Sequence, residues 1–292
     1  MATKPVVAGT DGSQASLYAV GWAAREAMSR HTSLQILAVP ALPPRMQSDT
    51  TRLDTVTGLV RQSTEDALST AAEHAAQQAR GLAVETELRH GSPAEVLADA
   101  GREALMLVVG SRGAGGFTAL VLGSVSRYLA THTQCPVVVA REETRASSPE
   151  VVVGVGDPHH PVAALAFAFE EAAARNARLV AVHAWFWSFS RTRPEAALTD
   201  SERAALDPGH LSTEVAAQLD ATLAEWRAKY PDVEAGWELV HAHPGRVLAG
   251  ASARADLVVL GRHRGGPHPT IGSVTHAVLN HAHGPVATVP GD

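Results

Sequence analysis

The chain has 292 residues, 45% of them hydrophobic and 18% charged, which is the balance of a soluble globular protein with room for two domains of common size. A net charge of −6 argues against a dedicated nucleic-acid binder, which would carry a basic face. One cysteine, Cys135, excludes an internal disulfide. With no basic-then-apolar leader and no apolar run of the ~18 residues a membrane span needs, a reducing cytoplasm is expected and no membrane partner.

Lys4–Thr10 (KPVVAGT) is a short apolar run closed by Asp11-Gly12-Ser13, which reads as a strand and a turn. Ser13 offers an N-cap to an alanine-rich helix over Leu17–Met28. Leu34–Val39 is a second strand, closed by a proline-rich loop. From about Gly58 to Arg80 a helical stripe runs through Leu59, Ser63, Ala67, Leu68, Ala71 and Ala75, and Gly81 stops it. Leu82–Arg89 alternates as a third strand. Ser92-Pro93-Ala94-Glu95 opens a short helix with a cap, a proline at its first position and an acid in its first turn.

Leu105–Val109 is a buried strand by composition. It runs into GSRGAGGFTALVLGS, Gly110 to Ser124, and then into a helix, VSRYLATHT. Glycines let backbone approach an anion, and the first free N–H groups of a helix point at it. Pro136–Ala140 is a fifth strand. Strands alternating with helices predict a doubly wound α/β domain with a parallel sheet.

After a polar linker at 142–149 the pattern starts again. Asp11 is matched by Asp157, Leu34 by Leu179, His90 by His241, Gly110 by Gly261, Gly123-Ser124 by Gly272-Ser273, and Pro136-Val137 by Pro285-Val286, all at nearly constant offset. Ordered landmarks of this kind mark an internal duplication, with domains at 1–143 and 150–292.

Ligands of open α/β sheets sit beyond the carboxyl ends of strands where the strand order reverses. With the first and fourth strands as central neighbours, Asp11 faces the Gly110–Ser124 loop. A carboxylate there suits a base, a ribose hydroxyl or a metal ion on phosphates. The chain has no GxxxxGK[ST], no GxGxxG after the first strand, no GxSxG elbow and no CxxC or HExxH.

The glycine loop fits G-x2-G-x9-G-[ST] through Gly110, Gly113, Gly123 and Ser124. With Asp11-Gly12-Ser13 and GSPAEVL it resembles the universal stress protein family in its tandem form, across nearly the whole chain. The resemblance implies two five-stranded parallel sheets, each of order 3-2-1-4-5, and a stress-responsive regulator that binds ATP with at most slow hydrolysis. It also implies an ATP site at Gly9, Thr10, Asp11, Val39, Gly110, Arg112, Gly113, Gly123, Ser124 and Val125. The sequence marks no certain metal site; the Asp11 carboxylate could hold magnesium on the phosphates. Partners implied are an adenine nucleotide, an unidentified protein, and either a homodimer or a pairing of the two domains within the chain, with Pro136–Ala140 near Pro285–Val289.

The second copy departs from the pattern. Its loop, GRHRGGPHPTIGS, is two residues shorter, a loss of up to ~7 Å of reach, and Arg264 replaces the second glycine. Gly156, Asp157, Ala184, Gly261, Arg262, Arg264, Gly272 and Ser273 form the candidate second site, where the two arginines offer phosphate-binding forks.

Other readings are a slow ATP hydrolase, and a nucleotide-free adaptor that holds a partner through Trp185, Phe186, Trp187 and Phe189. Packing between domains is the plainer use of those rings. Leu211, Val215, Leu219, Leu223 and Trp226 follow helical spacing and read as core. His263, His268, His276, His281 and His283 match no ligand signature and read as polar surface.

Overall fold

Ten strands form one sheet in the order β3-β2-β1-β4-β5-β10-β9-β6-β7-β8. This is a computed structural model that describes residues 3–40, 50–113, 122–141, 149–156, 162–185, 208–262 and 271–291. The first half contributes β1 (Val6–Thr10), α1 (Gln14–Ser29), β2 (Leu34–Ala38), α2 (Thr50–Gln78), β3 (Val84–Leu88), α3 (Pro93–Ala100), β4 (Met106–Gly110), α4 (Ser124–His132) and β5 (Val137–Ala140). The second contributes β6 (Glu150–Gly154), α5 (Val162–Arg175), β7 (Arg178–Trp185), α6 (Pro208–Lys229), β8 (Ala235–His241), α7 (Pro244–Ala251), β9 (Leu257–Arg262), α8 (Ser273–His281) and β10 (Val286–Pro290). Pairing is parallel within each half, and each half carries the order 3-2-1-4-5.

The inner strands are unbroken apolar runs because both faces are covered: VVAGT, MLVVG and VVVA are buried at every position. One apolar layer lies under α1, α2, α5 and α6, and a second under α3, α4, α7 and α8. Each layer contains residues of both halves. Alanine-rich α1 lies close on the sheet through Ala19, Val20, Ala23, Ala24 and Ala27. Along α6 the expected stripe packs on the core from Val215 onward, with Leu219 and Leu223 fully buried and Trp226 stacked near Phe169; the side chain of Leu211 lies outside the described residues.

The halves join where β5 meets β10. Among the described residues this is the one antiparallel pairing of the sheet, with Val138 opposite Ala287 and Val139 opposite Val286. Val138 and Ala287 are equivalent positions of the two copies, so a pseudo-twofold axis passes between them. Behind the strands, α1 and α5 meet through equivalent residues. Glu26 binds Arg30 on its own helix and accepts from Arg175 at 2.6 Å, while Glu171 binds Arg175 on its own helix and Arg30 across the seam. The guanidinium of Arg30 lies over Phe167, and that of Arg175 over Trp22.

Several expectations change. The second helix begins at Thr50 rather than near Gly58. Ser92 precedes α3 in extended conformation but makes no side-chain cap, which leaves Pro93 as the start signal. Register also corrects the match of Asp11 to Asp157. Val6 lies opposite Leu34 and Val151 opposite Leu179, so counting along β1 and β6 brings Asp11 to Gly156. Asp157 falls one position later and lies outside the described residues. Trp185 ends β7, next to the outer strand β8 and remote from the seam. It therefore does not pack the domains together; it stacks on His183 and His241. Phe186, Trp187 and Phe189 lie outside the described residues.

Candidate functional site

The turn after β1 is built from its own short polar side chains. The Thr10 hydroxyl, buried at the strand end, shares a hydrogen bond with the Ser16 hydroxyl at 3.1 Å. Gly12 turns the chain with φ of +78°, a left-handed conformation that costs glycine little. Ser13 caps α1, accepting from the Ser16 N–H at 3.3 Å. Oδ1 of Asp11 accepts both the Ser13 N–H at 3.1 Å and the Ser13 hydroxyl at 2.6 Å, which fixes the carboxylate.

The other oxygen of that carboxylate faces the loop after β4. A Cβ placed on Gly113 would stand 2.4 Å from Asp11 Oδ2, so any larger residue there displaces the carboxylate. At Gly110 a Cβ would meet the Ala15 carbonyl oxygen at 2.6 Å, because the first turn of α1 rests on the end of β4. Glycine at 110 thus lets α1 dock, and glycine at 113 keeps the carboxylate in place.

The return of the loop is anchored from the other side. The Gly123 N–H donates to the Ser111 carbonyl at 2.8 Å, and the Ser126 hydroxyl to the Gly110 carbonyl at 2.7 Å. Gly123 is the extended N-cap of α4 and supplies no capping side chain, so Ser124 is the first helical residue rather than the cap. The N-terminal ends of α1 and α4 therefore converge at the carboxyl ends of β1 and β4, a geometry that favours anions.

Charge adds to this. Arg112 and Arg141 follow the paired strand ends Gly110 and Ala140. Burial, and then the positive charge of Arg112, lowers the pKa of Arg141. Among the described residues neither arginine has a carboxylate in an ion pair. Val39 is half-buried just past β2, and Val125 is half-buried in α4. Gly9 lies within β1, where a Cβ would meet Leu97 Cδ1 at 2.9 Å. It is a packing glycine. Its equivalent, Gly154, meets Leu248 at the same distance.

The second half repeats the scaffold with different residues at several of these positions. Gly156 stands where Asp11 does. Ala184 is half-buried on β7 opposite Val240. A Cβ on Gly261 would meet Ala164 at an ordinary 3.5 Å, unlike the crowded Gly110, and one on Gly272 would meet nothing within 4 Å among the described residues. Ser273 begins α8 as Ser124 begins α4. The Arg262 guanidinium, expected to meet a phosphate, donates across the seam to the Ala130 carbonyl at 3.2 Å and to the Thr133 carbonyl. Arg264, with His263 and His268, lies outside the described residues. Among the described residues no three His, Cys, Asp or Glu side chains gather as a metal site, and no helix is long and apolar enough to cross a membrane.

The model of the universal stress protein family matches residues 2–141 and again 149–290. The chain belongs to the universal stress protein family. Universal stress protein Rv1996 of Mycobacterium tuberculosis is 35% identical over 315 residues, covering 98% of this chain and 96% of that protein. Universal stress protein Rv2005c of the same organism is 34% identical over 293 residues, covering 96% and 95%. Among solved structures, a universal stress protein from Archaeoglobus fulgidus superposes with a TM-score of 0.70 over 99% of this chain and 97% of its own. At 18% identity that likeness speaks to the fold.

Sequence reasoning missed the Glu26, Arg30, Glu171 and Arg175 cluster. Its signal was present: a glutamate four residues before an arginine at equivalent places in both copies.

Proposed function

We propose that this universal stress protein is an ATP-binding regulator of a stress response, with the nucleotide held by the first half. The observation that carries the reading is the Asp11 carboxylate lodged against Gly113, at the point where two helix N-termini converge. Gly110, Gly113, Gly123, Ser124 and Val125 line the phosphates through backbone N–H groups, and Arg112 meets them as a cation. Thr10, Asp11 and the backbone of Val39 take the nucleoside end. Magnesium would ride on the phosphates with Asp11 as its protein carboxylate, since such ions need few protein ligands when phosphates supply the rest. Residues 1–143 and 150–292 act as a pair within one chain, in the cytoplasm.

The second half is the weaker site. Gly156 replaces the carboxylate, Arg262 is engaged at the seam, and the loop is shorter. Mass spectrometry of denatured, freshly purified protein tests for co-purified adenine nucleotide, and titration calorimetry counts sites. One ATP per chain is expected, weakened at least tenfold by Asp11→Asn. Absence of adenine-nucleotide binding would remove the proposal, and two equal sites would remove the assignment to the first half.

A further inference from the structure

A cavity of about 350 Å³ opens on the seam between α4 and α8. Its α4 wall carries Arg127, Tyr128, Thr131 and His132, and its other wall is Ile271 with His276. Among the described residues no carboxylate lines it, although the chain has more acidic than basic residues, 30 Asp and Glu against 24 Lys and Arg. The Tyr128 and His132 rings are parallel, with centroids 4.0 Å apart. The His132 ring is fixed through Nδ1, which lies 2.6 Å from the Thr131 hydroxyl and 3.0 Å from the Tyr128 carbonyl. Arg127 is exposed, and among the described residues it has no carboxylate partner.

We propose that this cavity is a second ligand site, for a small planar organic anion whose acidic group meets Arg127 and whose ring lies between Tyr128 and Ile271. The volume is that of a small-molecule site, and the lining pairs an apolar floor with a cationic rim, the pattern that orients such ligands. An aryl phosphate and an aryl carboxylate share the required chemistry. The cavity draws residues from both halves and touches Ser124, which begins α4, and Ile271, which precedes Gly272 and Ser273 at the start of α8. An occupant therefore rests on the helix that follows each glycine loop. The proposal does not depend on nucleotide binding in the first half.

The probe is phenyl phosphate, titrated into the full chain by calorimetry, with phenol, inorganic phosphate and benzoate as companions. Saturable binding at one site per chain is expected, with benzoate following and with phenol and inorganic phosphate at least tenfold weaker. Arg127→Gln should weaken phenyl phosphate by about tenfold or more, the loss of one charge-assisted contact. Ile271→Trp should fill the cavity and abolish binding. Gly113→Ala, which disturbs Asp11, should leave it unchanged. Thermal melts of each variant confirm that it folds, and Arg127 is exposed enough for its replacement to be tolerated. Binding that survives both Arg127→Gln and Ile271→Trp, binding that disappears in Gly113→Ala, or no saturable binding at all would each overturn the proposal.

Discussion

Arg30, at the end of α1, donates to the Glu171 carboxylate of α5 across the pseudo-twofold axis, and Arg175 returns the same bond to Glu26 at 2.6 Å. Both carboxylates are buried, at 0% and 3% side-chain exposure, and each depends on two guanidinium groups. Removing one partner of such a cluster leaves an uncompensated charge inside. Arg30→Met should therefore lower the stability of the chain by about 3–5 kcal/mol, read from the midpoint of denaturant unfolding. Replacing Glu26, Arg30, Glu171 and Arg175 together by apolar residues of similar volume should cost far less, because no orphaned charge remains. A single variant as stable as the parent would show that the cluster does not hold the halves together.

The same cluster makes stability depend on pH. Burial lifts the Glu171 carboxyl to about 7, with Glu26 adding repulsion, against the pull of Arg175 and Arg30. Glu170 also approaches Arg30, at 3.7 Å from the other side. The folded pKa lies above that of the unfolded chain, so the folded state keeps a proton that the unfolded state releases. This contribution is fully present below the unfolded value of 4.5 and is lost as pH rises through about 7. Thermal midpoints of the parent should fall relative to those of Glu171→Gln across that window. Parallel profiles for the two proteins would remove Glu171 as the titrating group.

Two glycines of the loop separate fold from site. Gly110→Ala sets a Cβ 2.6 Å from the Ala15 backbone carbonyl, which cannot swing aside, so α1 must shift. A loss of about 1–3 kcal/mol in unfolding free energy is expected. Gly113→Ala sets a Cβ 2.4 Å from a carboxylate at the protein surface, which can move. Its melting temperature should stay near that of the parent while ATP affinity falls at least tenfold by calorimetry. If the two variants exchange these phenotypes, the assignment of roles is wrong.

The fold was legible because parallel strands buried on both faces read as continuous apolar runs, and because the copies repeat their landmarks in order. Asp11 beside the glycine loop followed from the strand order. What escaped depended on register and on contacts between the halves. Asp157 looked like the partner of Asp11 because both stand near a strand end, and only the pairing of Val151 with Leu179 shows that Gly156 takes that place. Arg262 reads in sequence as a loop arginine, yet it reaches into the other half, a contact that no local pattern encodes. Trp185 looked like a domain contact because its distance from the seam is set by the order of the whole sheet.

Cys135 offers a test of how tightly the first half is closed. Its thiol is buried beside Gly101, and burial pushes its pKa up to about 11. The thiolate is the reactive form, so at pH 8 only a trace of the group could react even where reagent reached it. Iodoacetamide should leave the native chain unmodified over a time in which the unfolded chain takes up one equivalent, both read by intact mass. Rapid alkylation of the native protein would mean that α3 opens from the sheet far more often than its packing implies.

The seam on the opposite face from the charge cluster rests on two arginines that cap helices from outside. Arg141 donates to the Leu279 carbonyl near the end of α8, and Arg262 to the Ala130 and Thr133 carbonyls near the end of α4. The last carbonyls of a helix lack intrahelical partners and carry partial negative charge, so a guanidinium placed there satisfies both. Arg262→Met keeps most of the side-chain volume and removes these bonds, which should cost about 1–3 kcal/mol of stability. Because Arg262 is engaged in this way, the variant should bind ATP with the stoichiometry and affinity of the parent. A loss of a nucleotide site in Arg262→Met, at unchanged melting temperature, would instead identify the residue as a phosphate ligand and restore the second half as a full site.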